Sequence, residues 1–288
     1  MKRRNFILNS SIMSASLIAP LSISGCSFNE SSQKNIIGIQ LYSVRDEMVK
    51  NPKETLTKIA SYGYKYVEGY EGSLGLFWGM TNLEFKKFLD DLGLTMISSH
   101  CGDTNNLESF KKKSSQAAEI GMKHLICPWA EGDRTIDQFK RNAEIFNKCG
   151  EISQQNGMKF AYHNHDYSFK KVEGEYLQDV LMTNTDINLV DYEMDIYWVV
   201  AAGEDPIKWF NKYPDRFNYC HVKDYLALAD NKSESCSLGK GSIDFPSILA
   251  HGKTKGLKNY IVEQEQYTGT SQLEAAKDNF NYMKSLKV

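Results

Sequence analysis

The sequence has no C-x-x-C pair, no G-x-G-x-x-G after its first strand-like run and no surplus of positive charge, and each absence removes a class of function. Six cysteines are scattered through 288 residues. With Cys26 set aside, Cys101, Cys127, Cys149, Cys220 and Cys236 remain. Their odd number and wide spacing exclude a zinc ribbon or a disulfide framework. Cys127 and Cys220 lie among apolar residues and read as small buried hydrophobes. Thirty-four basic residues against 36 acidic ones leave a net charge of -2, too little to gather nucleic acid or an anionic membrane surface. Without the glycine fingerprint the main argument for a dinucleotide-binding fold is gone. No long Pro/Gly/Ser linker divides the chain, so no second domain is expected. What remains, 41% hydrophobic and 24% charged residues, is enough to bury a large core and excludes disorder for most of the chain.

The first residues read as an address rather than as fold. A basic start (Lys2, Arg3, Arg4) precedes an apolar stretch from Ile12 to Ile23 and a small-residue exit, Ser24-Gly25-Cys26, the layout of an export signal. The apolar stretch is too short and too serine-rich to span a bilayer. Ile23-Ser24-Gly25-Cys26 resembles a bacterial lipobox, and Lys2-Arg3-Arg4-Asn5-Phe6-Ile7 resembles a twin-arginine signal. The expectation is an export signal over 1–25, lipidation at Cys26, and a polar tether over 26–35. The mature protein would be a periplasmic or membrane-anchored lipoprotein that meets the membrane through its lipid alone.

From residue 36 onward, short β-rich runs alternate with amphipathic stretches. Strands are expected near Ile36–Leu41, Tyr64–Glu68, Leu94–Ser99, His124–Cys127, Lys159–Tyr162, Asn188–Tyr192, Asn218–Val222 and Tyr260–Val262. Helices are expected at Pro52–Ser61, Asn82–Leu92, Leu107–Gly121, Thr135–Asn156, Tyr176–Met182, Pro206–Lys212, Phe245–His251 and Gln272–Leu286. Asn51 before Pro52, Asp205 before Pro206, and glycines at Gly63, Gly93, Gly121 and Gly157 supply start and stop signals. Eight βα units over about 250 residues predict a single α/β domain, a (β/α)8 TIM barrel spanning 36–288.

In such a barrel the reacting groups sit at the carboxyl ends of the strands. Ionisable residues recur there: Glu68, His100, His163-Asn164-His165-Asp166, Asp195, His221 with Lys223-Asp224, and Glu263 with Glu265. Alternation along a strand sets His163 and His165 on one face, and Glu263 and Glu265 on one face. Imidazoles mixed with carboxylates suit Mn²⁺, Co²⁺ or Zn²⁺ better than Ca²⁺. Tyr42, Trp78, Trp129 and Trp198 could wall a sugar site. Trp209 reads as core, His124 and His251 read as structural, and Gly239-Lys240-Gly241 is a loop that could reach a substrate.

Several motifs resemble the sugar phosphate isomerase/epimerase family of xylose isomerase-like TIM barrels. They are Gly38-Ile39-Gln40-Leu41-Tyr42-Ser43-Val44-Arg45, Tyr162-His163-Asn164-His165-Asp166, Met194-Asp195-Ile196-Tyr197-Trp198, His221-Val222-Lys223-Asp224, Gly239 to Phe245, and Val262-Glu263-Gln264-Glu265. The resemblance implies a divalent metal held by Asp195, His221 and Glu263. Relatives often carry glutamate where this chain has Ser168, so the first ligand falls to His163 or His165, with His165 favoured. It further implies a base, His163, with Lys223 and Glu68 as further catalytic groups. Gln40, His100, Trp129, Trp198 and Glu265 are then substrate contacts.

The expected activity is proton abstraction beside the carbonyl of a sugar or keto-sugar, as in an isomerase, epimerase or related lyase. An exported enzyme would meet free sugars or keto-glycosides rather than phosphorylated ones. Ser168 supports a rival reading, a carbohydrate-binding lipoprotein without catalysis. Hydrolysis of apurinic DNA would need more histidine ligands and a basic groove.

The address segment yields a direct test. A Cys26→Ser variant should lose lipid labelling and move from the membrane fraction to the soluble one. Mass spectrometry finding no lipid on the wild-type protein would refute lipidation.

Overall fold

The computed structural model describes residues 36–286. The expected export signal, Cys26 and the tether over 26–35 lie outside the described residues. Eight parallel strands close a barrel: β1 (Ile36–Gln40), β2 (Tyr66–Tyr70), β3 (Thr95–His100), β4 (His124–Cys127), β5 (Lys159–His163), β6 (Val190–Asp195), β7 (Phe217–Val222) and β8 (Asn259–Val262). Each pairs with its neighbours in chain order, and β8 returns to β1 with Ile36 opposite Asn259. The TIM barrel expected from the alternating pattern is the observed fold.

Around it lie ten helices among the described residues: α1 (Arg45–Lys50), α2 (Pro52–Tyr62), α3 (Asn82–Leu92), α4 (Leu107–Glu119), α5 (Ile136–Gln155), α6 (Leu177–Asn184), α7 (Ile196–Ala201), α8 (Pro206–Lys212), α9 (Phe245–Thr254) and α10 (Gln272–Ser285). Their ends follow local chemistry. Asn51 accepts from the Glu54 amide ahead of Pro52. Thr81 with Glu84 and Ser271 with Glu274 form capping boxes, each cap worth about 0.5–2 kcal/mol. Gly63 closes α2 at φ +111°, a backbone conformation that a side chain would strain. The apolar faces of the helices pack on the outer faces of the strands, with Phe85, Phe110, Phe139, Phe146 and Phe210 sealed between the layers. None of the described helices is long and apolar enough to cross a membrane.

Inside the barrel, the amino-terminal end is plugged by Ile97, Tyr219 and Ile261. A Cβ at Gly38 would come within 2.8 Å of Ile261 Cδ1, so a side chain there would shift the plug. Beside this plug His124 Nε2 pairs with Asp191 Oδ2 at 2.8 Å, and Lys159 reaches the other oxygen at 2.9 Å. His124 is therefore part of the scaffold, and Trp209 is buried in α8 against Phe169 and Tyr176.

Two strands lie further along the chain than the pattern suggests. β2 runs from Tyr66 to Tyr70, and β6 from Val190 to Asp195. In both, the register shifts at a buried acid: between Val67 and Glu68, and between Tyr192 and Glu193. The extra residue lies on the neighbouring strand in each case, Ile97 of β3 and Asn218 of β7. Glu68 and Glu193 project into the barrel below its mouth by the ordinary alternation of their own strands, Glu68 with Tyr66 and Glu193 with Asp191 and Asp195.

Candidate active site

Above the apolar plug the interior is ionic. His163 ends β5, Asp195 ends β6, His221 lies within β7, and Glu263 follows β8. One ligand atom from each falls within 4.8 Å of the others. His221 Nδ1 is 3.0 Å from Glu263 Oε2, and His163 Nε2 is 3.3 Å from Asp195 Oδ2. Lys223 reaches over this group, 3.4 Å from Asp195 Oδ2 and 3.2 Å from Glu263 Oε2, and also donates to Glu265. Asp195 is doubly anchored. Its Oδ1 caps α7 by accepting from the Trp198 amide, and its backbone N–H and C=O both bond the Asn164 side chain at 3.2 Å.

A second tier lies beneath. Glu68 Oε1 accepts from Gln40 and pairs with His221 Nε2, each at 2.8 Å, and its other oxygen accepts from the Ser98 hydroxyl at 2.6 Å. His100 Nε2 pairs with Glu193 Oε2 at 2.8 Å. Glu68, Glu193, Asp195 and His221 are wholly buried, so every charge here must be met by a partner.

The titration behaviour follows from those partners. Burial alone would raise Glu68, but the His100 and His221 imidazoles outweigh it and hold the carboxyl well below its usual range. Burial likewise opposes ionisation of Asp195, and Lys223 with His163 and His221 reverses that effect. His100 is pushed up to about 9 because Glu68 and Glu193 overcome its burial. Lys223 stays charged, with Asp195, Glu263 and Glu265 overriding desolvation. His165 goes the other way: burial, reinforced by His163, pushes it down to about 2, so it is a neutral imidazole.

A cavity of 530 Å³ opens over this floor. His100, His163, Glu263 and Glu265 form its base, and Tyr42, Tyr70, Trp129 and Trp198 form its walls. Trp129 and Tyr42 are 48% and 39% exposed, unusual for such large rings. Trp129 meets His165 edge-on at 4.9 Å, and the Arg134 guanidinium braces it from behind at 5.0 Å. These exposed ring faces are open to stacking by a flat or apolar ligand face.

The structure places the sequence-predicted residues unevenly. His100, His163, His165, Trp129, Trp198, Glu263 and Glu265 line the cavity. Gln40 and Glu68 are wholly buried and do not line it: Gln40 secures Glu68, and Glu68 secures His221. Of the two histidines of β5, it is His163, rather than His165, whose nitrogen joins Asp195, His221 and Glu263, because residue 163 is the last of the strand and points inward while His165 turns toward Trp129 and Tyr167. Ser168 is sealed, paired with the Tyr162 hydroxyl at 2.9 Å, and does not line the cavity. The Gly239–Gly241 loop wraps the Asp224 carboxylate, which accepts from both glycine amides, at 2.8 and 3.0 Å, instead of reaching the cavity. Glu193 was not singled out from sequence, although alternation along β6 sets it on the same face as Asp195.

The donor set fits a divalent ion. Two imidazoles and two carboxylates converge, and both ring nitrogens of His163 are buried without a hydrogen-bond partner, a condition that ligation relieves.

Eight parallel strands with an ionic floor at their carboxyl ends define an enzyme-type TIM barrel site. The family model described as "Xylose isomerase-like TIM barrel" matches residues 56–286, and the chain belongs to that family. Inosose dehydratase of Clostridium beijerinckii is 31% identical over 156 residues, 49% of this chain and 48% of that protein. Inosose dehydratase of Clostridium tetani is 36% identical over 149 residues, covering 46% and 49%. The chain thus spans about half the length of the curated relatives it matches. Among solved structures, a sugar phosphate isomerase/epimerase from Parabacteroides distasonis is 28% identical with a TM-score of 0.76, covering 90% of this chain and 96% of that one. The IOLI protein, solved with a bound zinc atom, shares the fold at a TM-score of 0.70 and 14% identity, covering 87% and 97%.

Asn164 offers a test of how the floor is held. Its loss frees two buried backbone groups of Asp195, at about 1–3 kcal/mol. Asn164→Ala should therefore lower the melting temperature by about 2–4 °C per kcal/mol. An unchanged melting temperature would show that the clamp does not hold Asp195.

Proposed function

We propose that the protein is a metal-dependent enzyme that abstracts a proton beside the carbonyl of a non-phosphorylated sugar or keto-sugar, as an isomerase, epimerase or dehydratase. The observation that carries this reading is the convergence of His163, Asp195, His221 and Glu263 with Lys223 beneath an aromatic-walled cavity. Those four side chains would hold the divalent ion, which when bound polarises the carbonyl and the hydroxyl next to it. Among the described residues no lysine or arginine lines the cavity, whereas Glu71, Asp166, Glu263 and Glu265 do. A phosphate ester would meet that wall of carboxylates without a cationic partner, so a neutral carbohydrate is the better fit.

His163 is engaged with the ligand set, so the base is assigned to Glu265. It lines the cavity, and one of its oxygens accepts from Lys223. Taking the proton from the carbon beside the carbonyl leaves an enediolate, and Lys223, which bonds Asp195, Glu263 and Glu265 below the cavity without lining it, would hold the base in position. Return of the proton to the neighbouring carbon gives isomerisation, and return to the opposite face gives epimerisation. Departure of a β-hydroxyl with that proton gives dehydration. The two inosose dehydratase relatives favour dehydration within this set. The export signal and Cys26 support a periplasmic or membrane-anchored location through their sequence alone.

Solvent-deuterium exchange into a panel of keto-sugars tests the assignment. Glu265→Gln should slow exchange by roughly 10²–10⁴-fold with metal content unchanged. Unaltered exchange in Glu265→Gln together with its loss in His163→Ala would return the role to His163.

A further inference from the structure

The charge of the chain is unevenly placed, although its total is only -2. The turns that join a helix to the next barrel strand carry Lys65, Lys123, Lys255 and Lys258, and Lys159 opens β5. Two acids, Asp186 and Asp215, lie in the same turns. Arg216, also there, is buried on the Met182 carbonyl and the Thr185 hydroxyl. At the other end of the strands the cavity over the ionic floor is lined by Glu71, Asp166, Glu263 and Glu265, and among the described residues by no lysine or arginine. One end of the barrel is thus basic and the other acidic.

A second cavity, of 500 Å³, opens at the basic end. Lys123, Lys159 and Lys258 line it, together with Ile36, the first residue of β1. Asp191, the acid in its lining, is already paired with His124 and Lys159. Of the five lysines at this end only Lys159 is in an ion pair among the described residues. Lys65, Lys123 and Lys258 are exposed. Ammonium groups gathered round one concavity repel each other, a cost that an anion placed among them relieves.

The position of Ile36 points to the source of that anion. β1 begins at the basic end, ten residues after Cys26. A chain of that length spans at most about 35 Å. A lipid on Cys26, as read from the sequence, holds this end of the barrel within that reach of the bilayer. Anionic headgroups attract a lysine that comes within about 8 Å, and each such lysine strengthens binding about fivefold.

We propose that the amino-terminal end of the barrel docks on anionic phospholipid headgroups, with Lys65, Lys123 and Lys258 against their phosphates. The tether brings the surface within reach, and the lysines set the orientation. The active-site mouth, at the carboxyl ends of the strands, then faces away from the bilayer toward dissolved carbohydrate. The choice of headgroups over a dissolved anion rests on lipidation of Cys26, whereas the basic face does not. Docking replaces the expectation, drawn from the net charge, that the protein meets the membrane through its lipid alone.

The test is lysine footprinting of the full-length protein. It is reconstituted on vesicles of phosphatidylcholine or of phosphatidylglycerol, treated with a water-soluble acetylating reagent, and digested for mass spectrometry. Lys65, Lys123 and Lys258 should be acetylated several-fold more slowly on phosphatidylglycerol than on phosphatidylcholine. Lys232 and Lys240, in the segment that follows β7 at the opposite end, should react equally on both. Equal reactivity of the three lysines on the two surfaces overturns the docking face. Inorganic phosphate that protects them to the same extent on phosphatidylcholine also overturns it and makes the cavity a site for a free anion. Protein that does not stay on phosphatidylcholine lacks the lipid; phosphatidylglycerol vesicles are then compared with buffer, and the presence or absence of protection decides in the same way.

Discussion

Burying carboxylates at the centre of a barrel is the constraint from which the rest of this structure follows. Glu68, Glu193 and Asp195 are wholly buried and Glu263 is nearly so. A buried charge left unpaired would cost more than the few kcal/mol by which a domain of this size is stable. Each acid is therefore tied to a cationic or imidazole partner, and the partners are tied to one another. Lys223 spans three acids, and His221 spans the two tiers. The surrounding scaffold exists to hold these side chains at fixed positions. Gln40 and Ser98 secure Glu68, and Asn164 secures Asp195.

That arrangement separates binding from chemistry along the barrel axis. The walls at the mouth offer aromatic faces, and the floor offers charge. The neutral imidazole of His165 lies between them, against Trp129 and Trp198. At the opposite end, Asp191 and His124 repeat the pairing of acid with imidazole, with no part in the cavity. The same side-chain chemistry is scaffold at one end of the strands and site at the other, and position along the strand decides which.

The barrel was legible in the sequence because its signals are local. Alternating apolar positions, the Asn51-Pro52 and Asp205-Pro206 starts, and glycine stops such as Gly63 mark elements without reference to the rest of the chain. Most candidate site residues were legible too, because a polar side chain at the end of an apolar strand stands out. What escaped depends on pairing between strands. Glu68 meets His221 in the lower tier rather than at the mouth, and Glu193 meets His100 and His221 there, contacts between strands far apart in the sequence. The division of labour between His163 and His165 depended likewise on where β5 ends, one residue past the expected Tyr162.

The central claim is that the buried floor of His163, Asp195, His221 and Glu263 is completed by a divalent metal. Anything bound by the folded state alone raises its stability in proportion to RT ln(1 + [L]/Kd), about 2.7 kcal/mol at a hundredfold excess over Kd. The direct measurement is differential scanning calorimetry of the metal-stripped protein, with and without Mn²⁺, Co²⁺ or Zn²⁺. The account predicts that at least one of these ions raises the melting temperature by several degrees in the wild type, and by much less in a double variant carrying Asp195→Asn and Glu263→Gln. A melting temperature indifferent to all three ions would contradict it.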